Sequence, residues 1–123
     1  MTDILCSWLN DDIGISAIVR RDNFASVLQN GYHFAEVFYK YGFQVDLDLF
    51  SARKHDDVLV RNFSMLRPAF SKIGVEITPW KVAQFKKHNQ REIRNLAYDL
   101  FVGMRRFVKQ QEGPSKSQLV YTR

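Results

Sequence analysis

The chain has 123 residues, of which 46% are hydrophobic, and it includes ten Phe, five Tyr and two Trp. This length and composition suit one folded domain with its own core and exclude a disordered chain. The single Cys6 excludes an intramolecular disulfide, and no stretch approaches the roughly 20 apolar residues of a membrane helix. Because no secretory signal pattern is visible either, we expect a soluble intracellular protein.

Charge is distributed unevenly along the chain. The net charge is +5, yet residues 1–50 carry three Lys or Arg against seven Asp or Glu, whereas residues 51–123 carry fifteen against six. This asymmetry predicts one basic face, which attracts acidic partners through long-range forces that salt weakens. On charge alone the partner is nucleic acid, acidic lipid or an acidic protein tail, and the alternative is a solvated face without a partner.

Apolar residues recurring at steps of three and four predict three short helices in the first third of the chain. Turns at Gly14 and at Asn30-Gly31 separate them, since Gly and Asn tolerate left-handed backbone angles. The predicted helices cover Thr2 to about Asn10, a segment carrying Phe24, Val27 and Leu28, and Tyr32 to Tyr41.

A connector over residues 43–54 leads to a longer helix that opens with two aspartates. Negative charge suits the N-terminus of a helix. Pro68 lies inside the apolar stripe of this helix and predicts a bend or a new segment there. Thr78-Pro79 indicates an N-cap followed by a first-position proline, which starts the next helix.

The strongest helical pattern runs from Gln90 to Lys109 and predicts one face packed on the core. That apolar stripe consists of Ile93, Leu96, Ala97, Leu100, Phe101, Met104 and Val108. The opposite side carries Arg91, Arg94, Arg105 and Lys109, with Tyr98 and Val102 between them. Gly113-Pro114-Ser115 follows, so we expect a domain over residues 1–110 and a flexible tail or linker over residues 111–123.

No catalytic constellation is visible in the sequence. His33, His55 and His88 are far apart and lack metal-ligand spacing. Asp46 and Asp48 begin like a calcium loop, but the required glycine and terminal glutamate do not follow. We therefore expect a non-enzymatic protein with no catalytic residues, no metal, no cofactor and no small-molecule substrate.

Three segments stand out by their content and their order. They are Ile4-Leu5-Cys6-Ser7-Trp8-Leu9-Asn10, the run from Asn30 to Tyr41, and Asn62-Phe63-Ser64-Met65-Leu66 followed by Pro68 and Ile73-Gly74-Val75. Together they resemble a calponin homology domain, in the divergent form of ciliary and flagellar proteins. Asn30 stands where many members have Asp, and Phe63 where many have Trp, but each keeps the physical role. The resemblance covers about residues 2–109.

The resemblance implies an all-α fold, namely a compact bundle of about four main helices plus short connecting helices. A single domain of this family implies binding to microtubules rather than strong binding to actin. The implied partners are tubulin or axonemal central-pair proteins, and the implied location is the cytoplasm, in the cytoskeleton of a cilium or flagellum axoneme. It also implies that this domain heads a much larger protein needed for cilium assembly or motility.

The candidate contact residues are cations of the last two helices together with one aromatic residue. They are Lys86, Lys87, Arg91, Arg94, Tyr98, Arg105, Arg106 and Lys109, with Arg20 and Arg21 as a second patch. Each exposed ion pair contributes only about 0.2–1 kcal/mol, so binding needs many at once.

Two other hypotheses remain open. A pure assembly adaptor would use Tyr98 and Val102 in an apolar contact, because aromatic and Arg residues are enriched at the centres of interfaces. A nucleic-acid-binding helical domain fits the charge, but no helix-turn-helix spacing is visible and the resemblance points elsewhere. A calmodulin target over residues 93–109 is disfavoured, since that helix is committed to a core.

Overall fold

The structure, a computed structural model, describes residues 2–111, and within that range every regular element is helical. The six α-helices are α1 (Thr2–Ser7), α2 (Phe24–Leu28), α3 (Tyr32–Lys40), α4 (Asp56–Lys72), α5 (Pro79–Lys86) and α6 (Gln90–Gln111). A π-helical segment, Trp8–Ile13, continues α1, and a short 3-10 helix, Leu47–Leu49, lies in the connector between α3 and α4. The predicted all-α fold is confirmed. Except for Gln111, which belongs to α6, the predicted tail at 111–123 lies outside the described residues.

Local sequence sets the helix ends. Gly14 closes the π-helical segment in a left-handed conformation, and its N–H donates to the carbonyl of Leu9 at 2.9 Å. Thr78 starts α5 as predicted, because its hydroxyl accepts the N–H of Lys81 at 3.1 Å. His55 caps α4, where its Nδ1 accepts the N–H of Asp57 at 3.2 Å. This histidine therefore has a structural role at a helix end.

Pro68 does not start a new segment. Helix α4 runs without interruption through it, from Asp56 to Lys72. A proline inside a helix costs about 3 kcal/mol or more through the lost hydrogen bond and the crowded preceding turn. Pro68 itself is exposed, whereas Ala69 and Phe70 are buried in the core. Burial of these two neighbours holds the last turns of α4 in place and offsets that cost.

Helix α6 lies against α1, α2 and α5. Five of the seven residues in its predicted apolar stripe are at most 2% exposed: Ile93, Leu96, Ala97, Leu100 and Met104. Phe101 and Val108 are half-buried, and the Phe101 ring meets that of Trp8 edge to face at 5.0 Å. The prediction of a core-facing stripe is confirmed, and it leaves the opposite side of α6 to solvent.

A continuous series of phenylalanine rings connects the helices. Neighbouring ring centroids are 4.8 to 6.1 Å apart, within the range of favourable aromatic pairs. The series runs Phe85, Phe63, Phe34, Phe70, Phe38, Phe43 and Phe107. It thus passes from α5 through α4 and α3 to the C-terminal half of α6, and it ties both ends of the α5–α6 pair to one core.

Two buried amides fix the connector between α3 and α4. Asn62, 1% exposed, donates to the carbonyls of Asn30 at 2.9 Å and Ser51 at 2.8 Å, and it accepts the N–H of Ser51 at 3.4 Å. Asn30 in turn donates to the carbonyl of Arg53 at 2.9 Å. These side chains satisfy backbone groups that have no helical partner, so the irregular connector is held to α3 and α4.

Two glycines allow close approach between helices. Gly31 has φ +88°, and a Cβ there would lie 3.2 Å from Cε2 of Phe63. Gly103 is buried in α6, where a Cβ would lie 3.0 Å from Cδ1 and 3.1 Å from the carbonyl oxygen of Ile73. Neither contact leaves room for a methyl group without a shift, so α3 sits directly on α4, and α6 on the end of α4.

We predict that Gly31→Ala destabilises the domain more than Gly42→Ala does. Both glycines have positive φ, +88° and +85°, so each substitution brings a backbone cost of about 1–2 kcal/mol. A Cβ at Gly42 meets nothing within 4 Å, whereas one at Gly31 presses on Phe63 and adds about 1–3 kcal/mol of overpacking. Urea unfolding of the two variants measures the difference. Equal losses would show that the contact with Phe63 relaxes without cost.

Candidate functional site

The solvent side of α6 carries a row of cations, which we call the basic face: Arg91, Arg94, Arg105, Arg106 and Lys109. All five are exposed. At 1.5 Å per residue the row extends about 27 Å along the helix axis. Among residues 2–111 no carboxylate oxygen lies within 4.0 Å of any of their side-chain nitrogens. The charge of the basic face is therefore available to a partner.

Lys86 and Lys87 lie next to one end of the basic face. Helix α5 ends at Lys86, and a turn of three residues leads into α6. His88 adopts a left-handed φ of 59° in this turn, and the side chain of Asn89 donates to that of Gln84 at 2.8 Å. The turn folds α5 back along α6, so both lysines come close to the N-terminal end of α6. Both are exposed.

Two aromatic side chains are exposed on the α5–α6 pair. Tyr98, in the middle of the basic face, is 41% exposed, and Trp80, in the first turn of α5, is 58% exposed. In the sequence, Trp80 indicates only that a helix begins there. Its exposure also has a sequence signal, because at 100° per residue its side chain projects 140° away from that of buried Phe85 around the axis of α5.

Asp99 marks where the start of α5 meets the middle of α6. Burial raises the pKa of the Asp99 carboxyl, and the charge of nearby Lys81 opposes that rise. Lys81 also donates to the carbonyl of Glu76 at 2.6 Å, so it is held at this position. Lys81, Tyr98, Asp99 and Arg106 line one open cavity, so the first turn of α5 lies beside the Tyr98–Asp99 turn of α6, next to the basic face.

Arg105 is held more firmly than an exposed arginine usually is. Its guanidinium carbon lies 5.4 Å from the centroid of the Phe101 ring. A cation–π contact at an exposed site is worth about 0.5–1 kcal/mol. Because Phe101 also packs on buried Trp8, the orientation of Arg105 is linked to the core.

The second candidate patch differs from the basic face. Arg20 pairs with Asp22 at 3.3 Å, and Arg21 pairs with Asp3 at 2.9 Å. Both pairs are exposed, so each contributes little to stability, but each arginine already has a carboxylate neighbour. Their charge is locally compensated, and an acidic partner gains less from them than from α6.

The loop that carries Arg20 and Arg21 is anchored by two polar side chains. Asn10 bonds both backbone groups of Val19, at 2.9 and 2.8 Å. Glu36 accepts the N–H of Ser16 at 3.2 Å and contacts Nδ1 of His33 at 2.5 Å. Burial acts to raise the pKa of Glu36, but hydrogen bonds from His33 and Ser16 outweigh it and leave that pKa below its usual value.

Two further kinds of site are relevant to the described residues, a metal-ligand cluster and a membrane-spanning helix. Within residues 2–111 no group of three or more His, Cys, Asp or Glu side chains is placed to hold a metal ion. No helix in that part of the chain has the length and apolar content that crossing a membrane requires.

Comparison with known proteins agrees with this fold. The family model described as a CH-like domain in sperm protein matches residues 5–102. The chain belongs to this family, which confirms the resemblance noted in the sequence. No solved structure matches the chain.

Curated relatives carry the name sperm flagellar protein 2. The Rattus norvegicus protein is 29% identical over 106 residues, and the Sus scrofa protein 30%, each over 86% of this chain. The Homo sapiens protein is 34% identical over 76 residues, or 62% of the chain. The match spans only about 6% of the rat and pig proteins and 4% of the human one. The domain is thus similar to a small part of a much larger flagellar protein.

We predict that Glu36 makes the stability of the domain depend on acid pH. Since its folded pKa is lowered, its stabilisation is complete above the unfolded pKa of about 4.3 and is lost as the pH falls through the folded value. Glu36→Gln, which keeps an oxygen acceptor, should lose less stability than the wild type between pH 6 and pH 3. Thermal unfolding across that range tests this.

Glu76→Gln is the matched control for Glu36→Gln, because Glu76 is an exposed glutamate. We expect this control to keep the pH dependence of the wild type. An unchanged slope in Glu36→Gln would contradict the role given to the contact between Glu36, His33 and Ser16.

Proposed function

We propose that the domain is a non-enzymatic docking module of a flagellar protein and binds an acidic cytoskeletal surface through the basic face. The observation that carries this proposal is the row of cations along α6, with no carboxylate of residues 2–111 within 4.0 Å. Membership of a family of CH-like domains in sperm protein, and relatives named sperm flagellar proteins, support a cytoskeletal setting.

The proposed partner is the microtubule, whose tubulin tails are acidic, or an acidic surface of an axonemal central-pair protein. The proposed location follows, namely the cytoplasmic cytoskeleton in the axoneme of a cilium or flagellum. There the complete protein would serve cilium assembly or motility. The domain would supply attachment, with no catalytic step of its own.

Magnitudes indicate what kind of binding to expect. At about 0.2–1 kcal/mol for each exposed pair, the five cations of the basic face together give about 1–5 kcal/mol. A dissociation constant of 1 mM already corresponds to about 4.1 kcal/mol. Charge alone therefore gives weak, salt-sensitive binding. Lys86, Lys87 and the exposed aromatic residues would have to add to it.

Co-sedimentation with stabilised microtubules tests the proposal. We expect the domain to pellet at low salt, and to pellet less as salt rises or when the acidic tubulin tails are removed. Failure to pellet at low salt would overturn direct microtubule contact. Pelleting that ignores both salt and tail removal would overturn the electrostatic mechanism.

We predict that the triple variant Arg91→Glu/Arg94→Glu/Arg105→Glu binds microtubules about ten- to a hundredfold more weakly. Three lost and reversed contacts of about 0.5–1 kcal/mol each correspond to that range. The control is Arg53→Glu/Lys54→Glu/Arg61→Glu, which changes the net charge equally at exposed residues of the connector and α4. Circular dichroism verifies that both fold. If the control weakens microtubule binding equally, the effect comes from total charge, which would contradict a specific role of the basic face.

A second candidate function, a pure assembly adaptor, is favoured by one observation. Trp80 and Tyr98 are large aromatic side chains exposed on adjacent helices, and such residues dominate the centres of protein interfaces. In this version the domain captures a central-pair protein from axonemal extract with little salt dependence. Trp80→Ala/Tyr98→Ala should then abolish capture, and the wild-type domain should not pellet with microtubules at low salt. Capture that survives this double variant would exclude the adaptor.

A further inference from the structure

An open groove of about 260 Å³ lies between α4 and α5, on a different part of the surface from the basic face. The apolar residues that line it and reach solvent are Val60 on α4 and Pro79, Val82 and Ala83 on α5, and buried Phe63 lies beneath them. Val60 is 40% exposed although it is an aliphatic residue of a helix that packs on the core. The groove thus presents an apolar surface to solvent.

The charges around this groove have one sign. Two charged residues line it, Arg67 on α4 and Lys86 at the end of α5, and both are cationic and exposed. No carboxylate is among its lining residues, and none within residues 2–111 lies within 4.0 Å of either side-chain charge. A low-dielectric cleft bordered by one sign of charge concentrates ligands of the opposite sign.

The size of the groove indicates the kind of ligand. Pockets that enclose drug-sized molecules measure roughly 300–1,000 Å³, so this groove fits a few apolar side chains better than a whole small molecule. A cleft between two helices matches the mode in which an amphipathic helix lays its apolar face into a groove. The cations at its borders require that helix to carry carboxylates beside its apolar stripe.

We propose that the α4–α5 groove docks an acidic amphipathic helix of a partner protein. Apolar side chains of that helix pack on Val60, Pro79 and Val82, and its carboxylates pair with Arg67 and Lys86. The groove and the proposed microtubule contact are separate surfaces that share one residue, Lys86. With a partner bound at each surface, the domain would link an acidic cytoskeletal surface to a second protein.

Binding of synthetic peptides by fluorescence polarisation tests this proposal. The probes are three helical peptides of about four turns with one leucine stripe, flanked by Glu, by Ser or by Lys. We expect the Glu peptide to bind at least about tenfold more tightly than the Lys peptide. Absence of binding by the Glu peptide, or equal binding of all three, would overturn the proposal.

Variants locate the binding. Val60→Asp and Arg67→Glu should each weaken binding of the Glu peptide by about tenfold or more. Their controls are Ile18→Asp, at an aliphatic residue 66% exposed outside the groove, and Arg61→Glu, at an exposed arginine of the same helix. Should Val60→Asp fail to fold, Arg67→Glu, which changes no buried residue, still decides the question. Equal weakening by a control would overturn the assignment to this groove.

Two further measurements separate the alternatives. Microtubule pelleting by Arg67→Glu should equal that of the wild type, which distinguishes failure of the groove from failure of the basic face. Analytical ultracentrifugation should show a monomer at high concentration. A dimer that Val60→Asp dissociates would identify a second copy of the chain as the occupant and overturn the proposal of an acidic partner helix.

Discussion

Two adjacent residues of α4, Asn62 and Phe63, hold the domain together through opposite kinds of contact. A buried amide costs free energy unless its donors and acceptor are bonded, and Asn62 meets this requirement with the backbone of Asn30 and Ser51. Phe63 fills the space above Gly31 and touches the rings of Phe34 and Phe85. A shift of α4 along its axis would break the polar and the apolar set at once. This pair therefore fixes the position of α4 against α3 and α5.

The orientation of the surface elements follows from that position. Phe63 packs against Phe85, which is the one buried side chain of α5. At the end of α4, Ile73 contacts Gly103 of α6. Helix α6 is further confined by α1 and α2. Its polar side is consequently turned outward mainly by packing on the other side of the helix. Apart from Arg105, which stacks on Phe101, the cations of this side make no cation–π contact with the core among the described residues.

The periodicity of α6 and the cap at Thr78 were visible in the sequence because both are local, and the order of the segments 4–10, 30–41 and 62–75 led to the correct family. Other features depend on distant parts of the chain. Arg21 finds its carboxylate on Asp3, 18 residues away, which no local pattern indicates. The angle between Trp80 and Phe85 indicates the exposure of Trp80 only once Phe85 is known to face the core, and the α4–α5 groove exists only once the two helices are packed. Pro68 stays within α4 because buried neighbours outweigh a local preference.

The contact between Gly103 and Ile73 also fixes where the basic face lies on the domain. A Cβ added at Gly103 would lie about 3 Å from the atoms of Ile73, so the backbone of α6 packs directly on the end of α4. The backbone positions that carry the cations of the basic face then have a fixed spacing over about 27 Å. A flexible acidic peptide loses conformational entropy when its carboxylates adopt that spacing, whereas a folded acidic lattice of matching period loses little. Under the proposed docking function, the domain would therefore distinguish the spacing of negative charge on a repeating surface from its total amount.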